Sequence, residues 1–409
     1  MKKIIFFSIV SFFIIFHNQA DACTSFIISG KYTVDGKPLL LKNRDTGEMR
    51  NSLVIYNDGK YKYMAVTNST ERGMKSSVWG GYNEKGFAIM NTAAYNNNVG
   101  DTTSYDGQDG VVTKLALMVC SSLEDFEHFL DTLTKPMGVN SNYGVIDANG
   151  GAAYYETGNY KYVKVDVNDP KQAPYGIIVR TNHSMSGDKE LGSGFNRFNN
   201  ASLILNQAAL EKKLAPEYLI NAISRSLYHP RIQADLADEM PAQRDVSEFR
   251  FFMDYIPRVS TSSSYIFVGA KDPKHVDEMM MWTIIGFPLT TVAVPTWLSA
   301  GELPKVVAMG NDLQSPLNTA GLKFKEECFP LKRDNGQNYI NLSAVINSEG
   351  TGYTQIIRQM EKAIAVKANE LIGELDTGTK KSKDIQEFYQ WLDKYLLEQY
   401  QRRLNYKLF

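Results

Sequence analysis

The feature that most restricts the fold is a run of short strand–turn–strand units crowded into the first half of the chain. Apolar or β-branched segments stand at Thr24–Ser29, Leu39–Lys42, Leu53–Tyr56, Lys62–Val66, Ser77–Gly81 and Phe87–Asn91. Between them lie Val34-Asp35-Gly36-Lys37-Pro38, Asn57-Asp58-Gly59 and Asn83-Glu84-Lys85-Gly86, whose Gly, Asn and Asp residues suit tight hairpin turns. Residues 111–133 read as helix, with Leu115, Leu117, Val119, Leu123, Phe126 and Phe129 near helical spacing. Strands return at Asn142–Asp147, Ala152–Glu156 and Gly176–Thr181. Helices follow over about 195–228, then a polar loop near 229–250 and strands at Ser264–Gly269 and Met279–Thr283. Residues 353–406 are strongly helical, with a Gly-Thr-Lys-Lys-Ser-Lys interruption near 378–383. Hairpins interleaved with helices, without βαβ alternation, give an α+β class with layered sheets.

Ahead of the strands, residues 1–22 carry Lys2-Lys3, an apolar stretch from Ile4 to Phe16, and Asn18-Gln19-Ala20-Asp21-Ala22. A basic start, an apolar middle and an A-x-A end form the layout of a secretory signal peptide. Cleavage after Ala22 makes Cys23 the first residue of an exported, periplasmic or secreted protein. Its α-amine, with a pKa of about 7.7–8, then serves as base for its own thiol. Two other readings stand beside this one: a chance coincidence of cleavage site and cysteine, and a lipoprotein signal that acylates Cys23. Asp21 and the lack of a Leu-like residue at position 20 speak against the second. The apolar run is too short for a membrane span, and no later segment approaches that length.

Lys and Arg number 44 against 45 Asp and Glu, a net charge of −1, which argues against a nucleic-acid partner. The five histidines are scattered and no HExxH or CxxC occurs, so neither a metal nor another cofactor is expected. Cys120 and Cys328 are the other two cysteines; in an oxidising compartment they either pair or stay as buried thiols. The sequence leaves the oligomeric state open.

Several polar segments have two readings each. Lys42-Asn43-Arg44-Asp45 is an exposed charge cluster at a strand end, or part of a site. Thr181-Asn182-His183 is a helix cap and loop, or an oxyanion element. Arg197 is a surface helix residue or a cation beside the nucleophile. Trp79, Tyr82, Tyr95 and Phe195 are core aromatics or the walls of an apolar acyl pocket. His183 admits a papain-like Cys–His reading, which an N-terminal amine makes unnecessary; it is taken as a loop residue at the pocket mouth.

In their order behind Cys23-Thr24, these segments resemble the cysteine N-terminal-nucleophile (Ntn) hydrolases. That group includes the choloylglycine hydrolases, penicillin V acylases and acyl-CoA:6-aminopenicillanic acid acyltransferase-like proteins. The resemblance is carried by Cys23-Thr24, Lys42-Asn43-Arg44-Asp45, Gly81-Tyr82-Asn83-Glu84-Lys85-Gly86-Phe87, Thr181-Asn182 and Gly194-Phe195-Asn196-Arg197-Phe198, and spans roughly residues 23–300. It departs from the family in having Lys42 where Arg is usual, with Arg44 two residues on, and Gly194 where Ser stands.

The resemblance implies a four-layer αββα Ntn-hydrolase sandwich over 23–350, with a helical C-terminal region, 351–409, packed on it. It also implies roles. Cys23 is nucleophile and base, Asp45 bonds its amine, and Asn182 with a backbone N–H near Asn91 (at Asn91, Thr92 or Ala93) forms the oxyanion hole. Arg197 and Lys42 supply positive potential. The expected function is hydrolysis of a linear, non-peptide C–N bond in a small amide: an N-acyl amino acid, a conjugated bile salt or a penicillin-like compound. The alternatives are acyl transfer to an amine on the same fold, and a non-catalytic exported binding protein.

Overall fold

The computed structural model describes residues 22–71, 76–103, 105–310 and 313–409; apart from Ala22, the leader read at 1–22 lies outside the described residues. Seven strands in chain order make one antiparallel sheet: β3 (Asn51–Tyr56), β4 (Tyr63–Asn68), β5 (Val78–Asn83), β6 (Ala88–Ala93), β7 (Ser141–Ile146), β8 (Ala152–Thr157) and β9 (Tyr162–Asp166). Short connections return the chain beside the strand it has just left, except between β6 and β7, where two helices intervene before the chain comes back alongside β6.

The second sheet is assembled from distant segments. Its order is β10-β1-β2-β14-β15-β16, built from β1 (Cys23–Ile28), β2 (Leu39–Asp45), β10 (Ile177–Arg180), β14 (Thr261–Val268), β15 (Met280–Ile284) and β16 (Val294–Trp297). All its pairings are antiparallel. Two small ribbons complete the strands: β11 (Tyr228–His229) with β12 (Ala234–Asp235), and β13 (Phe249–Phe251) with β17 (Tyr339–Asn341).

The two large sheets stack face to face. Polar side chains cross the gap: Ser25 on β1 meets Tyr154 on β8 at 2.9 Å, and Tyr265 on β14 donates to the Trp79 carbonyl on β5 at 2.6 Å. Gly80 makes the second contact possible, since a Cβ there would lie 2.6 Å from the Tyr265 ring. Helices α1 (Asp109–Val119) and α2 (Leu123–Thr132) cover the outer face of the seven-stranded sheet, joining Val112, Leu117 and Phe126 to Tyr63, Phe87 and Ile89. Helices α3 (Phe195–Leu210) and α4 (Pro216–Ser224) cover the six-stranded sheet, whose core takes in Ala201, Leu205, Leu219 and Ile223. The architecture is α+β in four layers, helix–sheet–sheet–helix. All six residues of β1 are buried because one face meets the other sheet and the other meets α3.

Local differences from the sequence reading have local causes. The helix expected over 111–133 is two helices, because the Ser122 side chain accepts the Asp125 N–H at 3.1 Å and starts a new one. The helices expected over about 195–228 are α3 and α4, the first ending at Leu210 and the second opened by Pro216. Helix α5 (Pro316–Cys328) was not anticipated: its apolar positions are diluted by Asn318, Lys323 and Lys325. A short α6 (Leu342–Val345) precedes the last two helices, α7 (Tyr353–Asp376) and α8 (Ser382–Leu404). Met360 and Ile364 on α7 and Leu392 and Leu396 on α8 join the same core as Trp282 and Val294 of the sheet.

Candidate active site

Cys23 opens β1 and is 5% exposed. Its backbone nitrogen donates to Asn182 Oδ1 at 2.9 Å. With Ala22 attached that nitrogen is a peptide N–H; removal of Ala22 leaves an amine with a lone pair in the same place. Asn182, just past β10, is held by the guanidinium of Arg197 from α3. Arg197 Nη2 donates to Asn182 Oδ1 at 2.7 Å, and Nη1 donates to Thr24 Oγ1 at 3.0 Å and to the Cys23 carbonyl. Two donors converging on Oδ1 fix the orientation of this amide and send Nδ2 toward the Ala93 carbonyl, at 2.7 Å. Gly194 explains the departure from Ser: it has φ +85°, and a Cβ there would collide with the guanidinium.

Strand alternation sorts the remaining groups onto two faces. Cys23 and Ser25 face the gap between the sheets, with their cross-strand partners Arg44 and Lys42. The register sets Arg44, not Lys42, directly opposite Cys23, where paired side chains have Cβ atoms about 4.5–5.5 Å apart. Arg44 lies over the Trp79 ring, 4.5 Å from its centre, and bonds Asn68 Oδ1 at 2.9 Å and Asn51 Oδ1. Lys42, one row deeper, donates to Asn91 Oδ1 and to the Trp79 carbonyl, each at 2.9 Å. Asn91 is thus a partner of Lys42, and the β6 residue that meets Asn182 is Ala93.

Asp45, fully buried, lies on the helix-facing side. Its Oδ1 accepts from Thr261 Oγ1 at 2.6 Å and Asn43 Nδ2 at 3.3 Å, and its Oδ2 is 2.9 Å from Arg258 Nε. Burial pushes its pKa up, against the pull of Arg258, Arg197, Thr261 and Lys325. Burial, with Arg258 nearby, brings Arg197 down to about 9.

Around Asn182, side chains that the sequence reading did not single out hold the backbone. Asn142 on β7 donates to the carbonyls of Thr181 and His183, each at 3.2 Å, bracketing Asn182. Glu156 pairs with Arg180 at 2.7 Å and accepts the N–H groups of Met185 and Ser186. His183 was expected at the pocket mouth; it is buried instead. Its ring stacks on Phe195 at 4.3 Å, and Nδ1 meets Thr181 Oγ1 and the Ser193 carbonyl at 3.1 and 3.2 Å. Burial lowers its pKa, so it is neutral near pH 7. Of the four aromatics, Tyr82 is core, Trp79 is half-buried under Arg44, and Tyr95 and Phe195 are exposed.

Cys120 and Cys328 are free thiols buried in separate cores, and burial pushes Cys120 up to about 12. Among the described residues there is no cluster of three metal-ligating side chains, and no helix is long and apolar enough to cross a membrane.

Residues 33–231 match the family model described as Acyl-coenzyme A:6-aminopenicillanic acid acyl-transferase. A comparison with curated proteins finds no match. Among solved structures, the chain is similar to a penicillin V acylase from Agrobacterium tumefaciens, at 14% identity and a TM-score of 0.39, over 67% of this chain and 85% of that one. It is also similar to two variants of a conjugated bile acid hydrolase from Clostridium perfringens, at 12% and 11% identity. Each of these has a TM-score of 0.34, over 68% of this chain and 90% of that one.

Proposed function

We propose, for a chain whose residues 33–231 match the acyl-coenzyme A:6-aminopenicillanic acid acyl-transferase family model, an exported cysteine amidase that cleaves linear, non-peptide C–N bonds. The observation that carries this reading is the convergence on Cys23. Asn182 Oδ1 accepts its nitrogen's proton at 2.9 Å, and Arg197 ties together Asn182, Thr24 and the Cys23 carbonyl.

Export and loss of residues 1–22 free the Cys23 amine. The amine takes the thiol proton and the sulfur attacks the amide carbon. The carbonyl oxygen gains negative charge, stabilised by Asn182 Nδ2 and a backbone N–H of the β6 end near Asn91–Ala93. Collapse breaks the C–N bond as the ammonium returns its proton to the leaving amine, and an acyl thioester remains. Water, deprotonated by the same amine, attacks the thioester; the acid leaves and the thiol is restored. Arg197 holds Asn182 and, with Arg44 and Lys42, provides positive potential near the sulfur. In this reading Asp45 hydrogen-bonds the freed amine, fixing its position and favouring its charged form.

Substrates of this class are N-acyl amino acids, conjugated bile salts and penicillin-like amides. The family's description makes acyl transfer to an amine the second reading; an added acceptor amine that intercepts the thioester yields a transferred amide instead of free acid.

The deciding experiment is intact mass and terminal sequencing of the protein recovered from an exporting host, followed by an amide panel. A free Cys23 with release of acid and amine is expected. A retained leader, an acylated Cys23 or cleavage elsewhere removes the base and defeats the reading. Within the site, Asn182→Ala is expected to lower kcat by about 10²–10³-fold with KM little changed, because one oxyanion donor is lost; steady-state kinetics on the mature protein reads it.

A further inference from the structure

Asp45 is gripped by residues remote in sequence. Thr261, 216 positions along the chain, donates to its Oδ1, and Arg258 pairs with its Oδ2. Behind Thr261 sits Lys325, on the inner face of α5 and 8% exposed. The Lys325 ammonium donates to the Thr261 carbonyl at 3.3 Å and lies 3.2 Å from Met49 Sδ, with the centre of the Phe287 ring 5.1 Å away. One carbonyl, a thioether and a ring face are poor partners for a group with three donors. Burying a charge there is costly, and an uncharged chain of Met size fills the same space. The charge does reach Asp45: the two attract, each opposing the shift that burial imposes on the other, and burial brings Lys325 down to about 7.

We propose that Lys325 is a positioning residue for the Cys23 site: with Arg258 it keeps the buried Asp45 ionised, and so sets the lowest pH at which the Cys23 amine works as a base. The role rests on the amidase reading. The groups that face this pair are few. Asp45 sees Arg258 and Thr261 at the entrance of β14, Arg197 from α3, and Lys325; Lys325 also sees Cys328 at the end of its own helix and Lys332 beyond it. A positive charge lowers the pKa of every group around it. Removing it therefore raises Asp45 and the amine together, and the acid limb of activity moves to higher pH.

The test is kcat/KM against pH, from about 5 to 9, on the mature enzyme and its Lys325 variants. Lys325→Met is expected to keep the urea midpoint of the parent or exceed it, since a buried charge has been replaced by an apolar chain. Its acid limb is expected to move up by about one pH unit. Lys325→Arg, which keeps the charge at all working pH values, is expected to put the limb back at or below that of the parent. Should Lys325→Met not fold, Arg258→Gln applies the same test from a partly exposed position and is expected to give an upward shift. An unmoved limb in the charge-removing variant, or an Arg variant that shifts as Met does, overturns the positioning role. Turnover persisting in Cys23→Ala in the same assay overturns the amidase reading itself, so the two failures are separable.

Discussion

Cys23→Ala is expected to abolish amide hydrolysis, lowering kcat by about 10⁴-fold or more, while the protein stays folded and still binds substrate. The size of the effect follows from what is removed. The sulfur is the protein atom that bonds to the acyl group in the proposed route, so without it the acyl thioester cannot form. The amine survives in this variant, as do the contacts of the main chain with Asn182 and Arg197. Binding is therefore predicted to outlast turnover. Cys23→Ser is expected to fall nearly as far, because a hydroxyl is far less acidic than a thiol and the amine is a weak base for it. Acid release measured by chromatography, with ligand binding by calorimetry, separates the outcomes. Full turnover in either variant rules out the nucleophile, and loss of binding together with turnover points to a folding defect.

The second large effect is on stability. Glu361 on α7 is paired with Arg225, which follows α4; their side chains are 8% and 3% exposed. Arg225 Nη1 and Nη2 donate to the two Glu361 oxygens at 2.7 and 2.6 Å, and Arg225 also donates to the Pro288 and Thr291 carbonyls. Glu361 further accepts the Ala293 N–H at 2.6 Å. Glu361→Ala leaves a buried guanidinium half unpartnered and an amide N–H without its acceptor, a change expected to cost about 3–5 kcal/mol. The double change Arg225→Met with Glu361→Leu removes both charges and is expected to recover most of that loss. Urea denaturation followed by circular dichroism reads both. A Glu361→Ala midpoint equal to the parent would mean that α7 contributes little to the stability of the sheets it covers.

The residues of the candidate site lie in short, local patterns that the sequence displays. Cys23-Thr24, Lys42 to Asp45, Asn182 and Arg197 each sit at an element boundary that turn and cap chemistry marks in the sequence. The structure places Asn182 and Arg197 against Cys23 itself. Asn91 was harder: strands repeat every two residues, so a reading by spacing selects the right strand without selecting the residue that meets Asn182. The choice between Lys42 and Arg44 was open for the same reason, since both point into the gap and only pairing with β1 says which stands opposite the sulfur. Asn142, Glu156 and Arg258 carry no motif. Each acts through backbone or carboxylate groups that any strand or loop can present.

What the sequence determines alone is what neighbouring residues decide among themselves. Turn residues set the hairpins of the seven-stranded sheet, and apolar runs place β1 and β2 in the core. What the tertiary structure alone decides is everything that needs two distant segments in register. β14 comes to lie beside β2, so Thr261 and Arg258 close on Asp45; α5 packs behind them and brings Lys325; α7 reaches Arg225. Such contacts depend on how the layers stack and how strands pair. Pairing is a free-energy balance over whole faces, which no local pattern of residues records.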